Sequence, residues 1–225
     1  NILSLVEKVR MASVLVNKNV GVFLDLQGPK IRLGNFENNK AQLKNNQLFT
    51  LTSREIVGSS QESHISYENF HRDVQKDDVV YIDDGKIILI VNKIKNRDVI
   101  CRVIREGIVS NHKGVNLPMT KLSINPFTKK DEEDAYNGIK AGVDYIALSF
   151  VSSAKNISEF RTFLNKNQGK KIKIIAKIER QKALDNLNEI ISEADVIMVA
   201  RGDLGVEVGI EKVPQMQKKI IQLLL

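Results

Sequence analysis

Apolar residues along this chain recur at three different spacings, and the changes of spacing divide it into three blocks. From Asn1 to Asn17, Leu3, Val6, Val9 and Met11 fall near helical spacing, and the run from Val20 to Leu26 reads as a buried strand. From about Ile31 to Asn111 the period shortens to alternating runs (QLFTLT, DVVYID, KIILIVNKI, DVICRVI, GIVSN) parted by polar turns, the pattern of a small all-β unit. Asp84-Gly85 lies between two of these runs and signals a two-residue hairpin, the glycine accepting a positive φ. From Leu122 onward helix and strand alternate again. Thr128 is set to cap a helix with Asp131 three residues on, and Gly142 to end it before the strand DYIALSF. A helix over Ile157 to Leu164, the strand IIAKIE, a helix ALDNLNEIISEA, the strand VIMVARG and a helix in KVPQMQKKIIQLLL follow.

Strands at Val20, Tyr145, Ile174 and Val196 with helices between them predict a parallel α/β sheet or barrel interrupted by an inserted β domain. The boundaries expected are 1–30 for a first barrel part, 31–118 for the insertion and 119–225 for the continued barrel part. An eight-stranded barrel needs ~250 residues besides any insertion, and only about four of its strands are visible. The pattern opens inside one helix and closes inside another, so the expectation is an incomplete barrel that does not turn over alone.

The 225 residues, 42% of them hydrophobic, suffice for a substantial core. No apolar run approaches the ~18 residues of a membrane span, and the first residues lack the charged-then-apolar order of a signal peptide, so a cytoplasmic protein with no membrane partner is expected. Cys101 is the only cysteine, which excludes an intrachain disulfide and a thiolate metal cluster. The formal charge of +7 is spread along the chain. Its densest cluster, Lys166 to Lys173, has no aromatic for base stacking and reads as a solvated loop, so no nucleic-acid partner is expected. His64, His71 and His112 have no metal-ligand spacing.

The chemistry concentrates between Ile172 and Gly205. Lys177 and Glu179 are two apart on one strand, so the alternation of side chains points both the same way. The next strand, Val196 to Ala200, runs into Arg201, Gly202 and Asp203. A helix between two such strands makes them parallel neighbours whose C-terminal ends share one rim. There Glu179 and Asp203 can converge on one hard divalent cation, with the Lys177 ammonium beside it and Gly202 leaving backbone room for a phosphorylated or carboxylated anion. Arg201 reads as a structural ion-pair partner at the rim, Asp83 and Asp84 as hairpin turn residues.

The segments LDLQGPKIRLG (Leu24 to Gly34), DDG (Asp83 to Gly85), KGVNLP (Lys113 to Pro118), ALSF (Ala147 to Phe150), KIE (Lys177 to Glu179) and ARGDLGVE (Ala200 to Glu207) occur in this order, and together they resemble the pyruvate kinase family. The resemblance covers nearly the whole chain. It implies phosphoryl transfer from phosphoenolpyruvate to ADP, giving pyruvate and ATP in glycolysis. The implied fold is α/β: part of a TIM (β/α)8 barrel carrying an inserted small all-β barrel that acts as a lid. It implies Glu179 and Asp203 as ligands of Mg²⁺ (or Mn²⁺), Lys177 as the catalytic cation beside the enolate, and Gly202 with Asp203 and Lys177 as substrate contacts. Arg32, implied as a second catalytic residue, and Lys113 are implied to meet the nucleotide or the transferring phosphoryl group, and Gly28-Pro29 to be the hinge into the lid. Where many family members read TKGPEIR, this chain reads LQGPKIR. Lys30 stands in place of that acid, as in the variant that works without K⁺, and Asp25 would otherwise be the carboxylate of a monovalent site. A homotetramer of the full-length protein is implied as well. The family's N-terminal arginine segment, its threonine strand and its regulatory domain have no match in the chain, and position 152, often arginine, is serine. On the residues alone two alternatives stay open: a metal-dependent lyase acting on pyruvate or phosphoenolpyruvate enolates, and a non-catalytic fragment that binds a phosphate ligand.

Overall fold

The computed structural model describes residues 2–118, 120 and 122–225, which divide into two units, one running to Pro29 and resuming over Asn125–Leu225, the other spanning Lys30–Ile124. Asn1, where the first expected helix starts, and Met119, where the third expected segment starts, lie outside the described residues. The second seam falls at Ile124, where 118 was expected. Leu122 and Ile124 pack against the core of the second unit, and the Ser123 amide donates to Asp73, so this stretch belongs with the β-rich unit.

The first unit begins with α1 (Ile2–Leu15) and β1 (Phe23–Asp25). β1 is shorter than the apolar run around it because Val22 is held differently: its amide donates to the Asp144 carboxylate at 2.7 Å. The same carboxylate receives Arg10 from α1 at 2.8 Å.

The second unit contains β2 (Lys40–Leu43), β3 (Leu48–Thr52), β4 (Glu62–His64), the one-turn helix α2 (Phe70–Asp73), β5 (Val79–Ile82), β6 (Ile87–Lys95), β7 (Asp98–Arg105), β8 (Gly107–Ser110) and β9 (Val115–Asn116). Six strands join in the order β4-β3-β7-β6-β5-β9, and β2 pairs with β8. The period of two that marks these runs in the sequence is the burial pattern: Ile87, Leu89 and Val91 of β6 and Val99, Cys101 and Val103 of β7 all face the core. β2, β4, β9 and α2 carry no comparable signal; polar KAQL and ESH are strands because neighbours pair with them. The hairpin turns through Asp84-Gly85, but its connection is four residues long where two were expected: the last paired residues are Ile82 and Ile87, because the Asp83 amide donates to the Gly114 carbonyl at 3.0 Å instead of pairing with Lys86. Lys86 N–H donates to the Asp83 carbonyl at 3.2 Å, and Asp83, Asp84 and Gly85 all have positive φ.

The first unit resumes with α3 (Lys129–Ala141), β10 (Tyr145–Leu148), α4 (Ala154–Lys166), β11 (Lys173–Ile178), α5 (Gln181–Asp185), α6 (Leu187–Glu193), β12 (Val196–Val199), α7 (Arg201–Val208) and α8 (Val213–Leu224). Thr128 and Asp131 form a reciprocal capping box at the start of α3, and Gly142 ends it at φ 72. The strands β1-β10-β11-β12 form one parallel sheet, and the helices that alternate with them supply Ile157, Phe160, Leu164, Leu187 and Ile190 to the core around Ile146, Ile174 and Ile178. This is the alternation of a partial TIM-type barrel. Two expectations need correction. The helix expected across Leu184 to Ile191 is two helices broken at Asn186, whose side-chain amide donates to the Ser152 carbonyl at 2.8 Å instead of continuing the helix. The strand expected over Val196 to Ala200 stops at Val199, and Arg201 to Asp203, expected to follow it as a strand-end loop, form the first turn of α7.

Candidate active site

Parallel strands with helical crossovers bring their C-terminal ends to one rim, and there the first unit gathers its charged side chains. Asp25 ends β1, Ser149 follows β10, Lys177 and Glu179 stand at the end of β11, and Asp203 lies in the turn of α7 that follows β12. The Lys177 ammonium is the centre of the group. It lies 3.0 Å from Asp25 Oδ1, 3.0 Å from Glu179 Oε1 and 2.8 Å from Ser149 Oγ, with a side chain only 12% exposed. Ser149 donates its own proton to the Leu26 carbonyl at 2.7 Å, which turns a lone pair toward the ammonium. Burial alone would depress the lysine's pKa, but the Glu179 and Asp25 carboxylates outweigh it and hold the group above its usual range, charged at neutral pH.

Glu179 is 2% exposed and sits one residue beyond its strand. Its second oxygen accepts the Phe150 amide at 2.8 Å. Burial pushes this carboxyl up, Lys177 and the Phe150 N–H pull it down, and the nearby Asp203 charge pushes it up again, leaving it raised. A buried carboxylate beside a second acid has an electrostatic need for added positive charge. Two carboxylates are the donor set that suits a hard cation keeping several water or substrate oxygens. No group of three or more His, Cys, Asp or Glu side chains arranged for a metal occurs among the described residues. Asp203 also stands at a helix N-terminus, where the exposed amides favour negative charge. A Cβ on Gly202 would meet nothing within 4 Å, so the start of α7 is open there.

Arg201 is exposed and makes no ion pair among the described residues, against the structural role expected for it, because it begins α7 facing outward instead of ending a strand. Asp25, expected at a monovalent-ion site, has the Lys177 ammonium as its partner.

In the second unit Arg32 and Lys113 come together. Arg32 bridges to Gly114 across an antiparallel contact, and its guanidinium donates to the His112 carbonyl at 3.0 Å. The Lys113 ammonium lies 2.9 Å from Asp83, whose other oxygen takes Lys86 at 3.0 Å. Both lysines hold the Asp83 carboxyl below its usual range. Lys30 is also in this unit, its Cε 3.6 Å from where a Gly114 Cβ would stand.

Sequence reasoning missed four residues of the first unit. Ser149 and Phe150 follow β10 on the same rim as Lys177, and their place at a strand end was the available signal. Phe150 has φ 57, a left-handed conformation that costs a bulky residue about 1–2 kcal/mol. Arg180 and Glu207 were given no role: Glu207 closes the ARGDLGVE segment, but nothing in the spacing says that two residues so far apart interact, both of them half-buried. Burial pushes Glu207 up to about 7, against the pull of Arg180 and of the Gln181 amide, and burial lowers the pKa of Arg180.

A family model described as "Pyruvate kinase, barrel domain" matches residues 2–224. A pyruvate kinase of Clostridium acetobutylicum is 41% identical over 221 residues, which are 98% of this chain and 46% of that protein. "Pyruvate kinase 2" of Synechocystis is 42% identical over 217 residues, 95% of this chain and 36% of that protein. The crystal structure of a pyruvate kinase from Cryptosporidium parvum matches with a TM-score of 0.89 at 34% identity, covering 96% of this chain and 46% of that one. The chain thus spans less than half the length of these relatives. With the family model matching almost from end to end, on a fold that sets the KIE and ARGDLG segments at neighbouring strand ends, the chain belongs to the pyruvate kinase family.

Proposed function

We propose that the full-length protein transfers the phosphoryl group of phosphoenolpyruvate to ADP, yielding pyruvate and ATP in glycolysis, in the cytoplasm and as a homotetramer. The observation that carries the reading is the buried Lys177 ammonium, held charged between Asp25 and Glu179 at the strand ends. On this reading the bond between phosphorus and the enol oxygen breaks, a terminal oxygen of ADP takes the phosphoryl group, and the pair of electrons left on the enol oxygen makes an enolate. Lys177 stabilises that developing charge, and a fixed charge of this kind is worth ~10²–10³ in rate. The enolate then takes a proton on carbon to become pyruvate. Glu179 and Asp203 are the residues that would hold Mg²⁺ or Mn²⁺, which when bound supplies positive charge to the substrate's carboxylate and phosphate oxygens. The amide of Gly202 donates to substrate. Arg32 and Lys113 meet the nucleotide phosphates, where charge is spread over several oxygens. Lys30 supplies the positive charge that a monovalent ion gives elsewhere in the family, so K⁺ is not required.

The test is pyruvate release by the full-length protein from phosphoenolpyruvate, ADP and Mg²⁺, with K⁺ replaced by Na⁺ in a parallel series. Equal turnover in both and a kcat lowered ~10²-fold or more in Lys177→Met are expected. No dependence on ADP would refute the kinase reading, and activity silent in Na⁺ but restored by K⁺ would refute the role of Lys30.

A further inference from the structure

Phe150 keeps a left-handed backbone (φ 57) although it is a large L-residue, and its surroundings specify that conformation from three sides. Its ring lies against Gly28 so closely that a single added Cβ would stand 2.7 Å from Cδ2. The guanidinium carbon of Arg180 lies 4.7 Å from the ring centroid. The Phe150 amide donates to Glu179 Oε2 at 2.8 Å. Arg180 is the next residue after Glu179, so these contacts close a loop: carboxylate to amide, ring to guanidinium, and guanidinium back through one peptide bond to the carboxylate.

Arg180 is costly to keep in that place. Its Nε is buried without a hydrogen-bond partner among the described residues, and the opposing charge comes from Glu207 on α7. A side chain needed only for packing would be better apolar, because a half-buried guanidinium whose buried Nε donor is unmade lowers stability. What an arginine adds over an apolar residue is a positive charge held over an aromatic face.

We propose that Arg180 is a positioning residue for Glu179: lying on the Phe150 ring, it fixes the left-handed backbone whose N–H aims the Glu179 carboxylate at the divalent cation. The inference rests on the reading of Glu179 as a metal ligand. Partners that orient a ligating group typically govern 10–100-fold in metal affinity.

The experiment is direct binding of Mn²⁺ to the full-length protein without nucleotide or substrate, read from the paramagnetic resonance of the free ion. Arg180→Met is expected to weaken binding about 10-fold while kcat at saturating metal changes by less than about 3-fold. Arg180→Lys should stay within about 3-fold of the parent, because an ammonium can also rest on the ring. Phe150→Leu should weaken binding as Arg180→Met does, and the double variant no more than either alone, since the two act in series. Binding within about 2-fold of the parent in Arg180→Met, or full additivity in the double variant, overturns the proposal. If Arg180→Met does not fold, Phe150→Leu against Arg180→Lys decides: weakened binding in the first alone supports the proposal, and equal binding in both overturns it. Glu179→Gln separates the two levels. If it binds Mn²⁺ as the parent does, the metal-ligand reading fails and this inference with it. If it loses binding while Arg180→Met keeps it, only the positioning role of Arg180 fails.

Discussion

Replacing Glu207 by glutamine should change how the stability of this protein depends on pH, and the size of the change follows from the site. Glu207 is pushed from an ordinary value of 4.5 to about 7, chiefly because burial disfavours its charged form. An acid with a raised folded-state pKa keeps its proton longer when folded, so between pH 4.5 and 7 the folded protein binds more protons than the unfolded chain. Stability therefore falls as pH rises through that window and levels off above it. A displacement of this size corresponds to roughly 3 kcal/mol at full linkage, of which about 2 kcal/mol develops between about pH 5 and pH 8. Glutamine has a similar shape, can accept the same Gln181 amide and does not titrate. The assay is urea unfolding followed by far-UV circular dichroism at intervals across that pH range, for the parent and Glu207→Gln. Glu179 is also raised and contributes with the same sign, but it is common to both proteins and cancels in the difference. Asp73, Asp144 and Asp195 lie below their usual range, so their contributions are lost only in more acid solution. Glu207→Gln should gain about 2 kcal/mol on the parent from about pH 5 to about pH 8. Two curves that stay parallel within about 0.5 kcal/mol would refute the reasoning.

Gly28→Ala should destabilise the protein by about 2–4 kcal/mol, from the left-handed backbone and from overpacking against the rim. Gly28 has φ 64, and the new methyl carbon would stand 2.7 Å from the Phe150 ring and 3.1 Å from Ser149 Cβ. A urea midpoint unchanged from the parent would contradict this. Cys101 is fully buried in the second unit, its thiol pushed up to about 12 by burial, so a disulfide reagent near pH 8 should label it only after unfolding. Prompt stoichiometric labelling of the native protein would show that this core opens.

The sequence by itself determined the periodic elements, because period is a local property. The alternation in KIILIVNKI and DVICRVI became β6 and β7, the capping box at Thr128 and the stop at Gly142 bounded α3, and the two-residue spacing of Lys177 and Glu179 put both on one face. Short polar strands such as KAQL and the break at Asn186 were not legible, since a partner strand or a distant carbonyl decides them. The site divides in the same way. Its acids and its lysine stand in recognisable motifs, but their partners come from across the sheet: Asp25 meets Lys177 only because β1, β10 and β11 lie side by side in parallel, and Ser149 joins them from the strand between. The left-handed turn at Phe150 and the partial burial of Arg180 with Glu207 leave no trace in local pattern. They arise from close packing and the exclusion of water, which act between residues far apart in the chain and exist only once it has folded.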